Sequence, residues 1–289
     1  MAEKSRAGLI YGLIAYSWWG LVPFYFRWVR REVTPEEMLA HRIVWSGVFL
    51  TVVLTLTRRW PELARCLATG RLLRPLILSA LLIAVNWLAY ILSVAHDMVA
   101  QASIGYFITP LASVLLGLCV FRERLRPLQW LAVVLATTGV SAITIAAGQA
   151  PWLGLFLAVT FSMYGMIRKQ VPVDGLIGLA AETTLLLPPA LTFLAVSPGS
   201  STLDASLLSR LMLSGVVTTI PLLCFGQAAR MLPLSIIGFL QYISPSIQFA
   251  LAVGLFDETL PGESWSNFAL IWAALALFTL DSARHYRRV

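Results

Sequence analysis

Apolar tracts of about twenty residues recur along the whole chain, and each is long enough to cross a bilayer core as an α-helix. Inside the hydrocarbon no water is present to satisfy backbone N–H and C=O groups. Every tract must therefore close its hydrogen bonds within itself or within a sealed barrel. A barrel would show short alternating segments, and these tracts are long and continuous. Charge agrees: only 12% of residues are charged, against roughly a quarter in soluble domains. The expected fold is an all-α polytopic membrane protein.

Polar and charged breaks define ten expected spans, near 8–29, 35–57, 73–95, 99–121, 127–147, 151–167, 175–196, 207–229, 234–256 and 264–283. The first run follows Lys4 and Arg6 like a signal peptide. It continues through Trp18, Trp19 and Pro23 with no small-residue cleavage site, so it reads as an uncleaved span. Ten spans leave both termini on one side. Of the 21 Lys and Arg, all but Arg27, Arg30, Arg31, Arg210 and the intramembrane Arg42 fall on that same side. The positive-inside rule makes it the cytoplasm, and the protein a multi-pass resident of the plasma (inner) membrane. The net charge of +7 then reports orientation and anionic headgroups, and no nucleic-acid partner is expected. Cys66, Cys119 and Cys224 lie far apart, with neither metal-ligand spacing nor a disulfide framework. They read as packing residues, and no metal or cofactor is expected.

One long phrase is written twice. GYFITPLASVLLGLCVFRERL begins at Gly105 and GFLQYISPSIQFALAVGLFDETL at Gly238. The spacing from Pro110 to Glu123 equals that from Pro245 to Glu258. Tyr16-Ser17-Trp18-Trp19-Gly20 likewise resembles Phe161-Ser162-Met163-Tyr164-Gly165, and Ala95–Gly105 aligns with Ala228–Gly238. The chain therefore reads as two five-helix repeats, 1–148 and 149–289. Five is odd, so the second copy enters from the opposite side. The loop charges agree, with Arg122-Glu123-Arg124 basic and internal and Asp257-Glu258 acidic and external. Inverted repeats supply two near-equivalent conformations, open to opposite sides, and so point to a transporter.

These residues carry a resemblance to the EamA-domain branch of the drug/metabolite transporter superfamily, specifically its RarD-type permeases. The matching pieces are Trp19-Gly20-Leu21-Val22-Pro23, PEEMLAHRIVWS from Pro35, Asn86-Trp87-Leu88, ASIGYFITPL from Ala102, Tyr164-Gly165-Met166-Ile167-Arg168-Lys169, TTIPLLCF from Thr218 and GFLQYISP from Gly238. They span essentially the whole chain. The resemblance implies a ten-helix inner-membrane permease and fixes architecture better than cargo. The chain departs from the family's pattern at Gln101, where relatives can carry a Glu, and at Arg122, which stands where a Gly is expected.

Arg42 and Glu182 sit inside apolar spans, where an ionisable group is costly and by default functional. Their positions within spans two and seven correspond, and residue counting separates them by about 8 Å in depth. Two readings stand. In one they form a structural ion pair locking the halves together. In the other they line a cavity, Arg42 attracting an anionic or polar group and Glu182 binding a cation or proton. His41, one residue before Arg42, is either a pH sensor or a hydrogen-bonded packing residue.

Asn86, Gln101 and Gln241 are amides in or at the ends of spans, and Tyr106, Tyr164 and Tyr242 add hydroxyls. Trp19, Tyr106 and Tyr242 are expected to line an apolar pocket, with helix breaks at Pro110 and Pro245 beside it. The stripes Thr109-Ser113-Gly117 and Ser246-Ala250-Gly254 read as packing seams.

The sequence lacks an HExxH zinc site, a GxSxG serine motif and a phosphate-binding glycine loop, so it is not read as an enzyme. The expected function is secondary transport of a small organic metabolite or drug, with export favoured and a proton coupled through Glu182. The alternative is a flippase for lipids or lipid-linked sugars.

Overall fold

A computed structural model of the chain describes residues 2–29, 33–96, 98–146, 148, 150–197, 204–254 and 262–286. Twelve helices are present among them, with no strand: α1 (Ala2–Val29), α2 (Pro35–Thr57), α3 (Trp60–Ala68), α4 (Gly70–Ala95), α5 (Val99–Cys119), α6 (Pro127–Ala146), α7 (Trp152–Gln170), α8 (Gly175–Val196), α9 (Ala205–Met231), α10 (Leu234–Gln241), α11 (Ile243–Gly254) and α12 (Gly262–Tyr286). Five of these, α2, α4, α6, α8 and α9, are long and apolar enough to cross a membrane by length and composition. Shorter apolar stretches lie in α5 and α12. This is an all-α polytopic membrane protein.

Local chemistry sets several ends. Thr34 starts α2 with a reciprocal capping box: its hydroxyl accepts from Glu37 N at 3.3 Å, and its own N–H donates to the Glu37 carboxylate at 3.1 Å. Pro35 occupies the first turn, where a missing N–H costs nothing. Asp174 and Asp204 cap α8 and α9, accepting from Ile177 N at 3.0 Å and Leu207 N at 2.6 Å. Helix α3 was not expected. It is too short to span, and it buries Leu63 and Cys66 while Arg65 and Glu62 stay outside.

The ninth span is broken. Pro245 has no N–H to return to the Gln241 carbonyl, so helical bonding lapses there. Tyr242 N instead takes Phe239 O at 3.2 Å, and Ser246 N takes Tyr242 O at 3.1 Å. In α5 the helix runs unbroken through Pro110. The sequence repeat predicts equivalent breaks in the two spans, and among the described residues the structure has one. At this level Gly238 crosses α5 so closely that a Cβ would lie 2.7 Å from the Pro110 carbonyl oxygen. Only glycine fits there.

Loop contacts sort into two faces. On one, Arg59 pairs with Asp174, Lys169 donates to Leu232 O, and Arg126 meets Asp281 at 2.6 Å. On the other, Ser197 donates to Glu37, and Arg210 donates to Trp28 O at 3.0 Å. α5 packs on α7, α4 on α7, and α1 on α9, α10 and α11, while α2 packs on α8, α5 on α10 and α6 on α12.

Candidate transport cavity

Six elements, α1, α2, α4, α5, α7 and α11, with the end of α10, surround a cavity open on one side. Its walls are aromatic: Trp19 on α1, Trp87 and Tyr90 on α4, Tyr106 on α5 and Phe161 on α7. Arg42, Asn86, Gln241 and Gln248 supply polarity. The cavity is off-centre. Arg42, Tyr90, Tyr106 and Leu157 all lie in the helix halves nearest the face of Glu37 and Ser197. Tyr16 lines the cavity at mid-helix, and the other half is filled by Tyr164 and Phe225, stacked at 5.7 Å between ring centroids.

Among the described lining residues Arg42 carries the charge, and it is only 7% exposed. Its Nε donates to Thr218 Oγ1 at 3.0 Å, and its guanidinium carbon lies 4.1 Å from the Trp87 ring centroid. The hydrogen bond from α9 and the cation–π contact from α4 fix the group in place. Asn86 Nδ2 spends its hydrogens on Leu157 O at 2.9 Å and Thr160 Oγ1 at 2.8 Å, joining α4 to α7. Gln241 Oε1 and Tyr16 OH are buried with no hydrogen-bond partner among the described residues. Tyr106 meets Tyr90 edge-on at 5.6 Å.

Glu182 stands elsewhere. It lines a smaller void of about 340 Å³ behind Trp87, which is common to both spaces. Its carboxylate accepts from Ser79 at 2.6 Å and from Tyr164 at 3.3 Å. The cation beside it is Arg168, 3.6 Å away, and both side chains are 1% exposed. The cation beside Glu182 is therefore Arg168 from the neighbouring α7 and not Arg42 from α2, so this pair lies within residues 149–289 and does not join the two halves as expected. Sequence reasoning counted Arg168 with the exposed loop charges because it lies just past the expected end of span six. The structure extends α7 to Gln170 and inserts Arg168 between α8 and α9, where glycines make room. A Cβ on Gly178 would lie 1.6 Å from Arg168 Nη1, and one on Gly226 2.9 Å from Nη2. Gly178, one turn before Glu182 on α8, was the signal available.

Of the other expected residues, Trp19, Asn86, Tyr106 and Gln241 come together around Arg42. Tyr164 serves Glu182 instead. Tyr242 does not line the cavity: it is fully buried at the helix break and donates to Phe107 O at 3.2 Å. His41 is buried away from the cavity, its Nδ1 without a hydrogen-bond partner among the described residues. The side chain of Gln101 lies outside the described residues, as do Asp257 and Glu258.

The filled half ends in polar locks. Glu123 accepts from Leu234 N at 2.6 Å, Ser235 N at 3.0 Å and Ser235 Oγ at 2.7 Å, capping α10 from the loop after α5. Lys169 stands 3.9 Å from the same carboxylate. Arg59 bonds both Glu62 and Asp174, which raises its guanidinium pKa further above its already high range. Burial pushes the Asp174 carboxyl up, but Arg59 and the Ile177 N–H more than reverse this and hold it below the usual carboxylate range.

Helices that alternate across a membrane around an off-centre aromatic cavity define a transporter class, and comparisons with known proteins agree. Residues 6–145 match the family model described as EamA-like transporter family. The chain is 43% identical to Protein RarD of Streptomyces exfoliatus, over 99% of this chain and 92% of that one. It is 40% identical to Protein RarD of Escherichia coli, over 99% and 98%. It is also 40% identical to an uncharacterized transporter of Vibrio cholerae, over 98% and 95%. A solved crystal structure only 19% identical superposes with a TM-score of 0.70, covering 94% of this chain and 97% of that one, and so shares the fold. The chain belongs to the EamA-like drug/metabolite transporters, and among them to the RarD-type permeases.

Proposed function

We propose that this membrane transporter moves small organic molecules by alternating access, with repeats 1–148 and 149–289 exchanging roles about the cavity. The observation carrying this reading is the asymmetry of the interior: one half hollow, the other packed with aromatic rings and closed by loop ion pairs. By the positive-inside rule the closed end is cytoplasmic, as are both termini, so the structure represents an outward-facing form in the plasma (inner) membrane. Transport is secondary, and export is the favoured direction. Glu182 is the proposed proton site, since a buried carboxylate beside a void that meets the main cavity at Trp87 can gain or lose a proton as the packing switches.

Spin labels test the motion without knowing the substrate. One pair, at Glu36 and Trp152, spans the cavity mouth, and another, at Arg65 and Arg124, spans the closed end; all four sites are exposed. With the native cysteines replaced, the expected result in lipid is two distances for each pair, the outer shortening as the inner lengthens. A single fixed distance at both ends across pH 5–8 overturns the reading. For coupling, Glu182→Gln is expected to retain counterflow and lose its response to a pH gradient. An unchanged response removes Glu182 from the role.

A further inference from the structure

We propose that the surface where α3 meets the first turns of α4 binds an anionic phospholipid, its phosphate at Arg71 and Arg74 and its acyl chains along the outer face of α4.

Charge is the first argument. Residues 58–74 carry five arginines, Arg58, Arg59, Arg65, Arg71 and Arg74, against one acid, Glu62. Arg59 takes that acid and Asp174 of α8 as well. Arg65 lines a hollow with the same two acids. Arg58, Arg71 and Arg74 are exposed and make no ion pair among the described residues. No acid stands in the first turn of α4 to oppose them. Arg71 and Arg74 are three apart on one helix, so they are neighbours on its surface. A guanidinium grips phosphate oxygens through two parallel N–H bonds, which a lysine cannot do.

Shape is the second. From Arg74 the same face of α4 continues through Leu78, Leu81 and Val85, at steps of four, three and four residues. Each of these three side chains is about half exposed. A phospholipid has the same order of parts, a charged head and then apolar chains. A soluble anion would use only the arginines. An exposed apolar stripe on a spanning helix is a surface for acyl chains.

Position is the third. Trp60 opens α3 with its ring exposed and its Nε1 donating to Thr55 Oγ1 at 3.1 Å. Indoles with a wet polar edge and an apolar body favour the headgroup level. Leu54 of α2, Leu63 and Cys66 of α3 and Leu76 of α4 are buried in one cluster, which holds the three helix ends together. The arginines are thus presented from a fixed platform, and preorganisation lowers the ordering cost of binding. Gly70 leaves the approach open, since a Cβ there would meet nothing within 4 Å.

Native mass spectrometry of the full chain released from detergent counts bound lipids one at a time. The probes are dioleoyl phosphatidylglycerol, dioleoyl phosphatidylcholine with the same chains, and inorganic phosphate. The first phosphatidylglycerol is expected to bind about thirtyfold more tightly than the first phosphatidylcholine, the scale of two basic residues at an anionic surface. In Arg71→Gln/Arg74→Gln that ratio should fall toward one. Arg122→Gln/Arg124→Gln removes the same charge from an exposed loop elsewhere and should leave the ratio unchanged. Leu78→Asn/Leu81→Asn should weaken both lipids several-fold and keep the ratio. All six side chains are exposed, so their replacement leaves the fold intact. Equal binding of the two lipids by the wild type overturns the proposal, as does a ratio that survives Arg71→Gln/Arg74→Gln. An equal fall in Arg122→Gln/Arg124→Gln overturns it too, by making net charge the cause. Displacement of phosphatidylglycerol by equimolar inorganic phosphate assigns the arginines to a soluble anion and not to a lipid. Unchanged binding in Leu78→Asn/Leu81→Asn removes the acyl chains from α4. None of these results involves the cavity, so the lipid surface and the transport reading fail separately.

Discussion

Arg168 occupies its slot because two neighbouring positions have no side chain. Gly178→Ala would drive a methyl group into the guanidinium and force Arg168 away from Glu182. Separating a buried pair leaves an uncompensated charge and costs about 3–5 kcal/mol. The expected result is a marked drop in thermal stability of the detergent-purified protein. The combination Gly178→Ala, Arg168→Met and Glu182→Gln should recover much of it, because no charge is then stranded. If Gly178→Ala melts with wild type, Arg168 does not depend on that space. Asp174 offers a gentler case. Its carboxyl is held below its ordinary range near about 4, so its contribution is complete above that range and fades as pH falls through it. Between about pH 5 and pH 3, wild type should lose more thermal stability than Asp174→Asn, in which the titration is absent.

At the scale of elements, the broken span is the feature with the clearest test. Pro245→Ala restores an N–H able to reach the Gln241 carbonyl, and so favours one continuous helix from Leu234 to Gly254. The expected outcome is equal or higher thermal stability with exchange slowed several-fold. Pro110→Ala should change less, because α5 is already continuous. Comparable slowing in both variants would assign no special role to the break. Helix boundaries were legible where chemistry marks them. The expected bounds 35–57 and 175–196 match α2 and α8 to the residue, because the polar breaks there hold the capping residues Thr34 and Asp174, and a cap is a local event. Helix α3 was invisible to a search for spans, since its nine residues lie among arginines and bury only Leu63 and Cys66. The aromatic gathering around Arg42 was partly legible in Trp19, Tyr106, Asn86 and Gln241. The partner of Glu182 was not, because it depends on how far α7 continues and on which side of it two glycines pass.

For the whole molecule, the proposed alternation makes the locks at the closed end a determinant of the balance between forms. Glu123 reaches from the loop after α5 to cap α10, while Lys169 from α7 holds the Leu232 carbonyl. Loss of a helix cap costs about 1 kcal/mol, or roughly a fivefold change in a two-state ratio. Glu123→Ala should therefore raise the inner-open fraction of the Arg65–Arg124 label pair about fivefold. No change would mean that closure is held by the aromatic packing of Tyr16, Tyr164 and Phe225 alone.

Arg42 also makes the cavity part of the membrane's electrical circuit. A charge that faces outside in one form and inside in the other crosses part of the transmembrane voltage without the residue travelling far, because the field falls across whichever half is closed. A full crossing is worth about 2.3 kcal/mol per 100 mV for one elementary charge. Under the alternation proposed above, reorientation of the protein should then respond to membrane voltage, and Arg42→Gln should weaken that response.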